Sequence, residues 1–185
     1  MNNLENKKII VGVTGSIAAY KSALLVRELR KSGAEVNVVM SAAACEFITS
    51  LTLGNLSQNP VINEMFDESV QKGGAWHIHL AQEADLMIIA PCTAATLAKL
   101  ASGLCDNSLV TLATALPQTT PLLVAPAMDS TMLLSKATQR NIKQLADDGV
   151  VIIPPAEGEL SSGIVGPGRL PEIDVLMDNI TNSIK

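Results

Sequence analysis

Gly-Val-Thr-Gly-Ser-Ile-Ala, residues 12–18, places glycines and a hydroxyl where an apolar run gives way to a helical pattern. The free N–H groups of a helix's first turn, aided by its dipole, suit an anion, and Ser16 adds a hydroxyl. The spacing is G-x-x-G-x-x-A. A dinucleotide fingerprint reads G-x-G-x-x-G and adds an acidic residue at the end of the second strand to hold a ribose. Met40-Ser41 stands there, and Glu35 lies at the opposite end of its segment. A hydroxyl at Ser41 fits a second phosphate contact, and with it a mononucleotide. A tight strand–helix turn without a ligand would use the same glycines. His77 is of a type that exchanges protons near neutral pH, although a lone histidine beside a strand also serves structure. In an extended segment His79 points the other way and reads as structural or surface.

Composition narrows the partners. The chain has 185 residues with a net charge of -5, 48% hydrophobic and 17% charged residues, and only 2% aromatics. These values describe one folded domain, 1–185, with an aliphatic core. No basic cluster is present for nucleic acid, and Glu5–Lys8 is a short charged lead-in. No apolar run reaches membrane-spanning length, and the N-terminus lacks a signal-peptide pattern. Cys45, Cys92 and Cys105 show no CxxC spacing. With only two histidines, neither a zinc site nor a disulfide framework is expected, and a reducing cytoplasm fits.

The elements that must position these residues alternate. Strands are read at Lys8 to Gly15 (with its turn), Glu35 to Ser41, Ala84 to Pro91, Pro121 to Met128 and Val150 to Pro155. Helices are read at Ser16 to Gly33, with Ile17, Tyr20, Leu24 and Leu25 toward the core, and at Thr93 to Leu104, continuing over Asn107 to Leu116. Others are read from Ser135 to Gly149, with Ile142, Leu145 and Ala146 inward, and from Glu172 to the end. A helical piece begins at Ala43, and Thr52 to Trp76 reads as short helices and loops. Continuous apolar strands are covered on both faces, so the fold class is α/β, a parallel sheet with helices on both faces. Ligands in such sheets sit beyond the carboxyl ends of the strands. Gly15-Ser16, Ser41, Pro91 to Thr96 and Pro126 to Asp129 are therefore expected to converge on one crevice.

Taken together, five segments resemble the flavin-containing cysteine decarboxylase family, and within it the 4'-phosphopantothenoylcysteine decarboxylases. "GVTGSIAAYK" is similar to the family's flavin-phosphate motif and "HIHLAQEADLMIIAP" to its histidine segment. "PCTAATLAKLASGLCDNSL" is similar to its Pro-Ala-Ser-Ala-Asn-Thr motif, "PAMDSTM" to its Pro-Ala-Met-Asn motif, and "GELSSGIVGPGRL" to its substrate-recognition clamp. The resemblance implies a flavodoxin-like fold, bound FMN, and active sites formed between the subunits of a homotrimer. Some relatives assemble trimers into dodecamers and carry a synthetase domain after this one. It also implies a reaction. The substrate's cysteine is oxidised by FMN to a thioaldehyde, the neighbouring carboxylate leaves as carbon dioxide, and the resulting enethiol is reduced to 4'-phosphopantetheine with a clamp cysteine supplying a proton. The cofactor carries the difficult chemistry and the protein orients it.

Residue by residue, the resemblance makes His77 a base or orienting group. Asp129 stands where the family usually has Asn; it would repel a substrate carboxylate unless protonated or paired, but could accept from a substrate amide N–H, or simply cap the next helix. Ser162 stands in the place of the clamp cysteine, next to Ser161, and its hydroxyl is far less acidic than a thiol. Gly15, Ser16, Ile17, Ser41, Phe47, Pro91, Thr93, Thr96 and Met128 fall on cofactor positions, with Phe47 against the flavin ring or in the core. Ala95 replaces the Asn of the third motif. Cys92 lines the flavin pocket as a small buried side chain, and Cys45 and Cys105 are core residues. The clamp is expected to be a mobile flap.

The expected activity is FMN-dependent decarboxylation of 4'-phosphopantothenoylcysteine in coenzyme A biosynthesis, in the cytoplasm. Two alternatives stay open: a peptidyl-cysteine decarboxylase that stops at the enethiol, or a non-catalytic flavin-binding subunit. A prenylated-flavin synthase would want more basic residues than Lys21, Lys99 and Arg169.

Overall fold

The computed structural model describes residues 4–66 and 75–184. Five parallel strands, β1 (Lys8–Val13), β2 (Glu35–Met40), β3 (Leu86–Cys92), β4 (Leu122–Pro126) and β5 (Val151–Ile152), form one sheet in the order β2-β1-β3-β4-β5. This is the order of the flavodoxin-like fold that the family resemblance implies, and its reversal falls between β1 and β3. Consecutive strand residues are buried on opposite faces. Ile9, Val11, Leu86, Ile88 and Ala90 pack under α1 (Tyr20–Lys31), α2 (Ser50–Ser57) and α8 (Ile173–Ser183). Ile10, Met87, Ile89 and Cys92 pack under α3 (Trp76–Glu83), α4 (Ala94–Ser102), α5 (Ser108–Thr114) and α7 (Lys136–Asp147). Covering on both faces is why the strands carry unbroken apolar runs.

Several expectations change. The helix after β1 starts as a 3-10 turn at Ile17–Ala19, and its buried face is Lys21, Ser22, Leu25, Val26 and Leu29. Ile17, Tyr20 and Leu24 are exposed instead, because the apolar stripe they form looks away from the sheet. On α7, Leu145 is buried but Ala146 is exposed. Cys105 is exposed in the turn before α5, whereas Cys45 is half-buried against the core. Residues 103–107 interrupt the helical stretch, with Asn107 capping α5 through the Leu109 and Val110 amides. The Thr52 to Trp76 reading is met in part by α2, and residues 67–74 lie outside the described residues. No helix among the described residues is long and apolar enough to cross a membrane.

The C-terminal glycine-rich stretch folds as a hairpin. Strands β6 (Ala156–Glu159) and β7 (Val165–Arg169) pair antiparallel. Gly168 lies at φ +143°, and a Cβ there would come within 2.1 Å of the Met128 carbonyl oxygen. Glycine at this position therefore lets the hairpin dock on the segment after β4.

Candidate active site

The carboxyl ends of β1, β3 and β4 each run into a capped helix start. After β1, Ser16 Oγ accepts from the Ala18 amide (3.3 Å). After β3, Thr93 caps α4, with the Thr96 amide 3.4 Å from its Oγ1. After β4, Asp129 caps the short helix α6 (Ser130–Leu133), its Oδ1 accepting from the Thr131 amide at 2.9 Å. Three helix N-termini thus meet beside one another, a disposition that favours negative ligand groups. Gly15 permits the first of these turns to lie against the segment after β2, since a Cβ there would be 2.6 Å from Ala43 Cβ.

Between them lies a cavity of about 700 Å³, within the size range of small-molecule and cofactor sites. Gly15, Ser16, Ile17, Phe47, Thr93, Met128 and Asp129 line it, so seven of the anticipated site residues meet there. Lys21, Met132, Leu160, Ser161, Arg169 and Leu170 line it as well. Phe47 is 50% exposed, which rules out a core role and leaves its ring at the cavity wall. The upper wall is the hairpin: Met128 N donates to Gly168 O (3.0 Å), and Ser130 Oγ donates to Pro167 O (2.6 Å).

The other anticipated residues stand behind or apart from this wall. Ser41 caps the 3-10 turn at Ala42–Glu46 through the Ala44 amide (3.3 Å), so the β2 segment reaches the cavity through Phe47. Pro91 is buried and its carbonyl accepts from Thr14 Oγ1, while the buried Thr96 hydroxyl lies 3.2 Å from that of Thr93. Ala95 is exposed outside the lining. Ser162 sits at the hairpin tip with its Oγ 2.6 Å from Asp129 Oδ2. Burial pushes the Cys92 thiol up and keeps it protonated. His77 lies on helix α3, not on an extended segment, and α3 packs on α5. Its Nδ1 is buried without a hydrogen-bond partner, and its ring meets Trp76 edge to face at 5.6 Å. His77 does not line the cavity of its own chain. Exposed His79 follows the expectation made for it.

Two braces escaped sequence reasoning. Thr14, fully buried, donates to Pro91 O (2.8 Å) and accepts from the Thr93 amide (3.1 Å). Lys21, 8% exposed, donates to Leu170 O (3.2 Å) and Glu172 Oε1 (2.9 Å), tying α1 to the end of the hairpin. A lysine within the apolar pattern of a helix was the available signal for the second.

The chain is similar to known proteins along most of its length. The chain is 45% identical over 172 residues to the coenzyme A biosynthesis bifunctional protein CoaBC of Vibrio vulnificus, covering 93% of this chain and 42% of that protein. It thus spans under half the length of that relative. It is 43% identical over 178 residues to a probable phosphopantothenoylcysteine decarboxylase of Streptococcus mutans, covering 96% and 99%. Among solved structures, it resembles a cysteine-to-serine mutant of PPC decarboxylase complexed with pantothenoylaminoethenethiol, with TM-score 0.85, 32% identity, and coverage of 95% and 97%. It also resembles the FMN-dependent cysteine decarboxylase SpaF, with TM-score 0.85, 30% identity, and coverage of 98% and 97%. The Flavoprotein family matches residues 1–185, and the chain belongs to that family.

Proposed function

We propose that this protein binds FMN and decarboxylates 4'-phosphopantothenoylcysteine in coenzyme A biosynthesis, acting in the cytoplasm. The observation that carries the reading is the cavity enclosed by three helix starts and a docked hairpin. Its donor set fits FMN. Ser16, Thr93 and the adjoining helix N-termini suit a phosphate, and Ile17, Phe47, Met128 and Met132 offer apolar contact for a flavin ring. Bound there, FMN would supply the oxidation and return of electrons.

The chain's own groups then orient substrate and handle protons. Asp129 offers an acceptor for an amide N–H at the cavity wall, and Ser162 brings a hydroxyl beside it. His77 is assigned to the site of a neighbouring subunit in a homotrimer, or in a dodecamer of trimers. Two features support this: His77 does not line the cavity of its own chain, and the exposed apolar residues Ile17 and Tyr20 line that cavity while exposed Leu24 continues their stripe along α1. A synthetase domain, fused as in the bifunctional relatives or separate, would take the place of a partner.

A second reading, release of the enethiol, is favoured by Ser162 in the cysteine's place and by the ethenethiol held in the similar mutant decarboxylase. Mass spectrometry of the product from synthetic phosphopantothenoylcysteine tests both readings. A product lighter by carbon dioxide alone is the saturated thiol. One lighter by a further two hydrogens is the enethiol. Unchanged substrate with flavin-loaded protein overturns decarboxylation altogether.

A further inference from the structure

The hairpin is fastened at its stem and at its tip by different means. The stem is docked by backbone and Ser130 contacts on the β4–α6 junction. The tip, residues 160–164, is a turn closed by Leu160 N to Ile164 O and Gly163 N to Leu160 O, both 2.8 Å. Its side-chain tie to the body of the protein is Ser162 Oγ to Asp129 Oδ2 at 2.6 Å. Asp129 is held in turn by its other oxygen, which caps α6.

The direction of that hydrogen bond carries the inference. An ionised carboxylate only accepts, so Ser162 donates and its proton points at Asp129. The hydroxyl's lone pairs are what it can offer elsewhere. The Ser162 hydroxyl, followed by the Thr131 amide, holds the Asp129 carboxyl below the usual carboxylate range, which keeps it in the accepting form at neutral pH.

We propose that Asp129 is the positioning residue for Ser162: it pins the hairpin tip at the mouth of the cavity and fixes the Ser162 hydroxyl as an acceptor toward a thiol S–H or amide N–H of the substrate. The proposal rests on the decarboxylase reading above for the substrate's chemistry, while the pin itself does not depend on it. An amide in place of the carboxylate reverses the polarity. With Oδ1 still capping α6, an asparagine would aim its Nδ2 at Ser162, making the serine an acceptor from position 129 and turning its proton away from that residue. Position 129 thus sets which way the hydroxyl faces, as well as where it stands.

Hydrogen–deuterium exchange of the substrate-free holoenzyme tests the pin. Ser162→Ala should speed exchange of the tip amides about tenfold and Asp129→Ala at least as much, since it also uncaps α6, with the double variant no faster than Asp129→Ala, as one shared hydrogen bond requires. Unchanged sheet amides serve as the folding control. Tip exchange at the wild-type rate in either variant, or effects that add, would overturn the proposal. Asp129→Asn should leave the tip protected. In holoenzyme assays it should nevertheless change the KM for substrate by about tenfold, the worth of one hydrogen bond of altered direction. An Asp129→Asn enzyme with wild-type KM and tip exchange would refute the polarity assignment. If the wild type releases no carbon dioxide, the decarboxylase reading fails, but the exchange result still decides the pin.

Discussion

Thr14 and Thr93, far apart in sequence, are joined by a 3.1 Å hydrogen bond from the Thr93 amide to the Thr14 hydroxyl. The same hydroxyl donates to Pro91 O, so one buried side chain aligns the end of β1 with the start of α4. Thr14→Val keeps the shape and strands both partners. The expected loss is about 1–3 kcal/mol of stability, the cost of unmet buried polar groups. Chemical denaturation measures it, and weaker flavin binding by titration should accompany it.

Lys21 bridges α1 and the hairpin's end. Its ion pair with Glu172 has one partner 65% exposed and is screened by solvent, so the nearly buried bond to Leu170 O matters more. Lys21→Met should cost about 1–2 kcal/mol, since it leaves a buried carbonyl without its donor. The hairpin should also become more open to limited proteolysis between residues 156 and 170.

Gly168→Ala tests the docking of the hairpin directly. A methyl there overlaps the Met128 carbonyl, and φ is +143°. Strain of this kind should undock β7 and raise the substrate KM more than it lowers sheet stability. Equal losses in both would show that the hairpin and sheet unfold as one unit.

Asp85 makes stability depend on acid. Burial pushes its carboxyl up, but the Lys8 amide (2.8 Å) and the Lys7 ammonium (3.1 Å) outweigh burial and leave it below the ordinary 3.8. A depressed carboxylate stabilises the fold fully above its unfolded value and loses that contribution as pH falls through the folded value. Urea midpoints should therefore drop below about pH 4, and Asp85→Asn should flatten the drop.

Mixed oligomers test the placement of His77. If each site pairs one chain's cavity with another chain's His77, two dead variants complement each other. His77→Ala mixed equally with a cavity variant such as Ser16→Tyr should recover about a quarter of wild-type turnover, from random closed assembly. Absence of any recovery after exchange of subunits, shown by native mass spectrometry, would place His77 outside the site.

The sheet was legible because buried parallel strands carry unbroken apolar runs, as at Leu86–Cys92. The ends of these strands then located the cavity. Helix faces were less legible. On the helix after β1, Ile17, Tyr20 and Leu24 form one stripe and Leu25, Val26 and Leu29 another, and periodicity alone does not say which meets the sheet. The hairpin was missed because "AEGE" and "VGPGR" pair through backbone groups, which leave no side-chain pattern. His77 was read as lying beside a strand because β3 follows three residues after the end of its helix. Its separation from the cavity is a relation across the fold that no local pattern records.

The apolar stripe beside the cavity also governs how the protein behaves in a tube. Ile17, Tyr20 and Leu24 together with Phe47 leave greasy area in water on a single chain, and such area invites clumping. If the proposed subunit assembly covers this stripe, dilution, which separates chains, should be harsher to this protein than concentration, and a saturating flavin should act as a solubiliser by covering part of the same surface.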